Sequence, residues 1–156
     1  MNPADSQACG ALAAFYNKPL WEGASKFDDA IRVLKQCADL TPTDATGYQK
    51  VATFYWDKSY RDPTLTPKEK EVFADQGLEA VNRALEIDSE YFEAYIFKGL
   101  LYRVKSTVVR GRLKEQYLEE AKALQDQGLE IKARQDEAAA EAEAAAAAAA
   151  DAAEAH

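Results

Sequence analysis

The chain has 156 residues, 47% of them hydrophobic, and a formal charge of −8 that is unevenly spread. Six carboxylates and no Lys or Arg follow Gln135, so removing their −6 from the total leaves the preceding residues at −2. A nearly neutral body with an acidic tail excludes general nucleic-acid binding, which needs clustered cations to neutralise phosphates. No run of about 18 apolar residues could span a bilayer. One His, at the last position, and two Cys leave too few ligands for the common zinc sites, and no Ser-His or Cys-His pair away from His156. The chain therefore reads as a non-enzyme with no cofactor and no metal.

Apolar residues recur at spacings of three and four. Phe27, Ala30, Ile31, Leu34 and Ala38 form one helix face, and Val72, Ala74, Leu78, Val81, Ala84 and Leu85 form another. Tyr91, Ala94, Tyr95, Leu101 and Tyr102 repeat the pattern. Thr66-Pro67-Lys68-Glu69 is a capping box with Pro at the first helical position, and Ser25-Lys26-Phe27-Asp28 is a looser version. Pro19 and Pro63 end the helices before them. These signals predict helices near residues 4–17, 26–40, 45–60, 67–87, 90–105 and 112–134. The acidic, Ala-rich tail over 135–156 is helical by propensity but has no large side chain to drive a core. The two domains expected are thus a helical body over 1–134 and this tail.

The second, fourth and sixth predicted helices align. Ala30, Gly77 and Ala121 fall at one position, spaced 47 and 44 residues apart, and Cys37, Ala84 and Gly128 follow seven residues later. Small residues at those places allow close helix approach, and a helix pair recurring about every 45 residues indicates a solenoid.

At these residues the sequence resembles the tetratricopeptide repeat family. The first-helix motif is matched by Tyr48, Val51, Ala52 and Tyr55, and again by Tyr95, Lys98, Gly99 and Tyr102. The second-helix motif is matched by Ala30, Leu34, Cys37 and Pro42, then by Gly77, Val81, Ala84 and Ser89, and loosely by Ala121, Gln125 and Gly128. The resemblance implies an all-α superhelix of about three helix pairs, departing from the family period by inserts at Lys58 to Thr66 and Lys105 to Arg112. The segment from Tyr55 to Glu69 is similar to a variant in uncharacterised exported bacterial proteins, which implies a place outside the cytoplasm, periplasmic or extracellular. Met1 to Gly10 itself shows neither the basic start nor the apolar run of a secretory leader.

The family pattern places Thr46, Gln49, Thr53, Trp56 and Asp57 of one unit, and Glu93, Ile96, Leu100, Arg103 and Val104 of the next, on a concave groove. An exposed aromatic beside a charge and an apolar floor suits docking of a peptide or helix. Trp56, Ile96 and Leu100 would be the anchors, with Asp57 and Arg103 setting polarity; Trp56 packed as core is the competing reading. The family's carboxylate clamp is absent. Asp57, Lys58, Arg61 and Asp62 form the one acid–base cluster, and ion pairing on a helix face suits them better than catalysis. Arg103, Lys105, Arg110, Arg112 and Lys114 form a basic run without an acid, fit for an anion or an acidic partner segment, or a solvated linker.

Cys9 and Cys37 fall at adjacent ends of an antiparallel pair. A bridge between them would close a loop of about 28 residues and stabilise by ~3 kcal/mol, in an oxidising compartment. The function expected is a protein-interaction scaffold without a membrane span. It would associate head to tail with itself, through the C-terminal helix, into an oligomer or filament. The rival is a monomeric envelope adaptor holding another protein's segment in the groove.

Overall fold

The computed structural model describes residues 24–154, with side chains over 26–150. The helix expected near 4–17 and Cys9 lie outside the described residues. Five helices follow in order, α1 (Ala24–Leu40), α2 (Ala45–Arg61), α3 (Pro67–Ile87), α4 (Phe92–Val108) and α5 (Gly111–Glu154). Among the described residues there is no strand, and no helix is long and apolar enough to cross a membrane.

Local chemistry sets the boundaries. Asp44 caps α2 by accepting from the Thr46 N–H at 2.9 Å. Thr66 and Glu69 form the expected reciprocal capping box on α3, with Pro67 next to the cap. α1 begins at Ala24, so Ser25 lies inside the helix instead of capping it. The second insert is spent mostly on helix length, while the first keeps a five-residue connection over 62–66. α3 runs 21 residues, and the expected linker from Lys105 to Arg112 shrinks to Val109 and Arg110. Gly111, at φ +60, makes that sharp reversal, a conformation costly for any residue with a Cβ.

Each helix runs antiparallel to the next. Ala38 lies against Gly47 and Phe27 against Tyr55; Tyr48 meets Arg83 while Tyr55 meets Phe73. Lys105 reaches Asp75, and Phe92 and Gly99 contact Gly128 and Ala121 in reverse order. α2 and α4, both antiparallel to α3, therefore run the same way, and they touch through Trp56 and Phe97 at 5.5 Å.

The small residues lie where helices meet. A Cβ on Gly77 would fall 2.6 Å from a Leu101 methyl, and one on Gly99 2.8 Å from the Ala121 carbonyl oxygen. One on Gly128 would fall 3.0 Å from Ile96 Cδ1. All five residues of the predicted α1 face are buried. The core gathers Phe27, Leu34, Val51, Tyr55, Val81 and Leu101 across α1 to α4, with Phe27 edge-on to both Tyr55 and Phe73. Val72 departs from the predicted pattern and is exposed.

α5 is different in kind. Its 44 residues span ~66 Å at 1.5 Å per residue. One stripe, Tyr117, Ala121, Leu124, Gly128 and Ile131, faces α4 at alternating four and three spacings. The last grip is at Arg134, whose guanidinium pairs with Glu90 at 2.7 Å, and at Gln135, which donates to the Glu90 carbonyl at 2.8 Å. Residues 136–150 are exposed all round.

Candidate functional site

The expected groove residues divide three ways. Trp56 is half-buried, satisfying neither extreme reading. Its ring stacks on Tyr60 with centroids 5.4 Å apart, and Phe97 meets it edge-on. Tyr60 itself is 63% exposed. Thr53, Ile96 and Leu100 are half-buried and Arg103 is exposed, on the same side. Gln49 is buried instead of open, and so is Val104 on the α4 side. The Gln49 amide donates to the Thr53 hydroxyl at 3.5 Å, while its Oε1 is buried without a partner.

Arg103 donates to Gln125 Oε1 of α5 at 3.0 Å, so the open row of α4 borders α5 directly. Leu118 and Leu129 share that α5 face, seven residues before Gln125 and four after, and are 41% and 51% exposed. The sequence reading missed both; an apolar pair 11 residues apart on one helix face was the signal available. The open surface thus runs from the Trp56–Tyr60 stack over Leu100 and Arg103 to Leu129.

The acid–base cluster is consumed by structure. Lys58 and Asp62 are both nearly fully buried and pair at 2.6 Å, with the Lys58 ammonium 5.5 Å from the Phe27 ring centroid. Burial pushes the Asp62 carboxyl up, but hydrogen bonds from Lys58 and from the hydroxyl and N–H of Thr64 prevail and hold it at about 2. Asp57 pairs with Arg61 at 2.7 Å, and burial raises its carboxyl pKa against the pull of that guanidinium. With each carboxylate held by a cation one turn away, the four side chains serve to end α2 and fix its following turn.

The basic run is also redistributed. Lys105 is mostly buried and pairs with Asp75 of α3, its ammonium 5.2 Å from the Tyr117 ring centroid. Burial lowers the Lys105 pKa, but the Asp75 contact outweighs that and raises it. Arg110, Arg112 and Lys114 remain as an exposed trio at the start of α5. Among the described residues no cysteine is free; the expected partner of Cys37, Cys9, lies outside them.

Away from this face, α1 and α3 leave a cleft of about 560 Å³ that the sequence did not announce. Part of its polar wall is paired. The Tyr48 hydroxyl donates to Asp39 at 3.3 Å, and Arg83 lies over the Tyr48 ring while pairing with Glu86 at 2.7 Å. Gln76, Glu79 and Asn82 also line it and make no side-chain hydrogen bond or ion pair among the described residues. Among the described residues no group of His, Cys, Asp and Glu is arranged to hold a metal ion. Comparison with protein-family profiles, curated proteins and solved structures finds no match for this chain.

Proposed function

We propose that this chain is a protein-interaction scaffold whose helix pairs stack in tetratricopeptide fashion. It docks a segment of another chain on the α2–α4–α5 face. The supporting observation is the Trp56–Tyr60 stack, an aromatic pair left open beside the apolar row of α4 and bordered by Arg103. A stacked, half-desolvated ring pair ringed by charges has the make-up of an interface hot spot. The antiparallel order, the small residues at helix crossings and the contact between alternate helices α2 and α4 all fit the repeat architecture.

Self-association through α5 belongs to the same proposal, supported by a helix that continues past its last intrachain contact. A location outside the cytoplasm and a Cys9–Cys37 bridge complete it. Intact mass before and after reduction and alkylation reads that bridge directly.

The docking test is to pan a displayed peptide library against the full chain and titrate the enriched peptides by fluorescence polarisation. Trp56→Ala is expected to weaken them by roughly 30-fold, the size of a single hot-spot loss. Binding that survives Trp56→Ala and Tyr60→Ala, or a library yielding no binder, counts against the reading.

A further inference from the structure

We infer that the open face of α5 seats a helix of another protein, laid on α5 as α4 is laid on α3. The inference rests on the scaffold reading above and names the kind of partner its last helix takes.

The internal repeat carries the argument. A shift of 44 residues takes Phe73, Gly77, Ala84 and Ile87 of α3 onto Tyr117, Ala121, Gly128 and Ile131 of α5. A shift of 47 takes α2 onto α4, down to the buried Ser59 and Ser106. Their hydroxyls donate to the carbonyls three residues earlier, at 3.0 and 2.6 Å. α3 and α5 thus present equivalent faces to whatever follows them.

On α3 that face is covered by α4. A Leu101 methyl closes on Gly77, Lys105 pairs with Asp75, and Ala74 and Val81 beside them are fully buried. The same positions on α5 are Leu118, Glu119 and Gln125, all exposed. Leu129, in the place of half-buried Leu85, is exposed as well. Glu119 takes part in no ion pair among the described residues. Ala121, in the place of Gly77, is already sealed by α4, so an incoming helix would rest on the two leucines around it.

The equivalence defines the chemistry of the occupant. α4 runs antiparallel to α3, so the incoming helix runs antiparallel to α5 with its last turn over Glu119. It needs an apolar stripe for Leu118 and Leu129, and a Lys or Arg for Glu119 where Lys105 answers Asp75. The helix dipole favours a cation in that last turn too. Arg103 stands where α2 has Trp56, the residue that Phe97 of α4 meets edge-on. An aromatic side chain eight residues before the partner's cation, as Phe97 is before Lys105, would meet Arg103 in a cation–π contact. Among the described residues the helices of this make-up, α2 and α4, are already packed into the core, which leaves the place to a different protein.

The probe is a labelled, hydrocarbon-stapled peptide with the α4 sequence, residues 91–108, titrated on the full chain by fluorescence polarisation. It is expected to bind, and Leu118→Asp with Leu129→Asp to weaken it about tenfold or more. Glu119→Lys weakens it up to about fivefold, and a peptide carrying Lys105→Glu recovers that loss on the Glu119→Lys chain alone. All three positions are exposed, and circular dichroism checks that each variant keeps its helices.

No binding, binding indifferent to the aspartates, or a charge swap without recovery overturns the inference. So does a dimer of the full chain, seen by sedimentation velocity and lost on the same aspartate substitutions, which would give the face to a second copy. Trp56→Ala lies away from α5 and leaves this peptide's affinity within about twofold, so the Trp56 docking reading and the α5 reading fail separately.

Discussion

Two parts of this molecule are equally helical for opposite reasons. In α2 and α3, helix is enforced from outside. Val51, Ala52, Tyr55, Val81 and Ala84 are buried, and a buried ion pair closes α2. Over residues 136–150 of α5 every side chain is exposed, and alanine's intrinsic preference sustains the helix. The first kind of helix is specific, since it has one place to go. The second is a surface awaiting an occasion.

The comparison can be broken most severely at Asp62. Asp62→Ala leaves Lys58 charged and unpaired under the Phe27 ring, and should cost about 3–5 kcal/mol in urea unfolding. Acid probes the same pair more gently. The folded carboxyl sits at about 2 against an ordinary 3.8, so its contribution is fully present above pH ~4 and fades as pH falls toward 2. That amounts to about 2 kcal/mol, and it should be missing from the pH profile of Asp62→Asn.

Gly99→Ala is the next lever. On an open helix the change would stabilise by about 1 kcal/mol. Here the new methyl meets the backbone oxygen of Ala121 at 2.8 Å, and a net loss of roughly 1–3 kcal/mol is expected by thermal melting. The smallest effect sharpens the contrast. Truncation after Gln135 should lower the far-ultraviolet helix signal while shifting Tm by less than about 2 °C, since that segment contributes no core.

How much of this the sequence disclosed follows the same division. α2 and α3 were legible to within a residue because Thr66, Pro67 and the spacing of buried residues are local signals. The α4–α5 junction was misread as a long linker. Ser106, Thr107 and Val108 are poor helix formers. Yet the Ser106 and Thr107 hydroxyls donate back to the carbonyls of Arg103 and Val104 at 2.6 and 2.7 Å, and Ser106 is buried. Trp56 was singled out from the repeat motif with two readings, groove or core, and its half-burial lies between them. The burial of Gln49 and Val104 was not readable, because it depends on how far apart neighbouring helices sit. Lys105 looked like one more cation of a run; its partner, Asp75, lies 30 residues away in sequence and one helix away in space. The cleft between α1 and α3 left no trace in either helix alone.

The grip of Glu90 on Arg134 and Gln135 has a mechanical consequence. Beyond it α5 is a cantilever ~28 Å long, and the wall it is set in is Glu90, in the turn between α3 and α4. Asp88 holds that turn, its carboxylate accepting from the Glu90 N–H at 2.9 Å and its carbonyl oxygen from the Tyr91 N–H at 3.3 Å. Both clamps end on this one residue, so opening of the turn releases them together and the overhang lengthens. The reach of the acidic arm is therefore set by the hold of Asp88 on two backbone N–H groups.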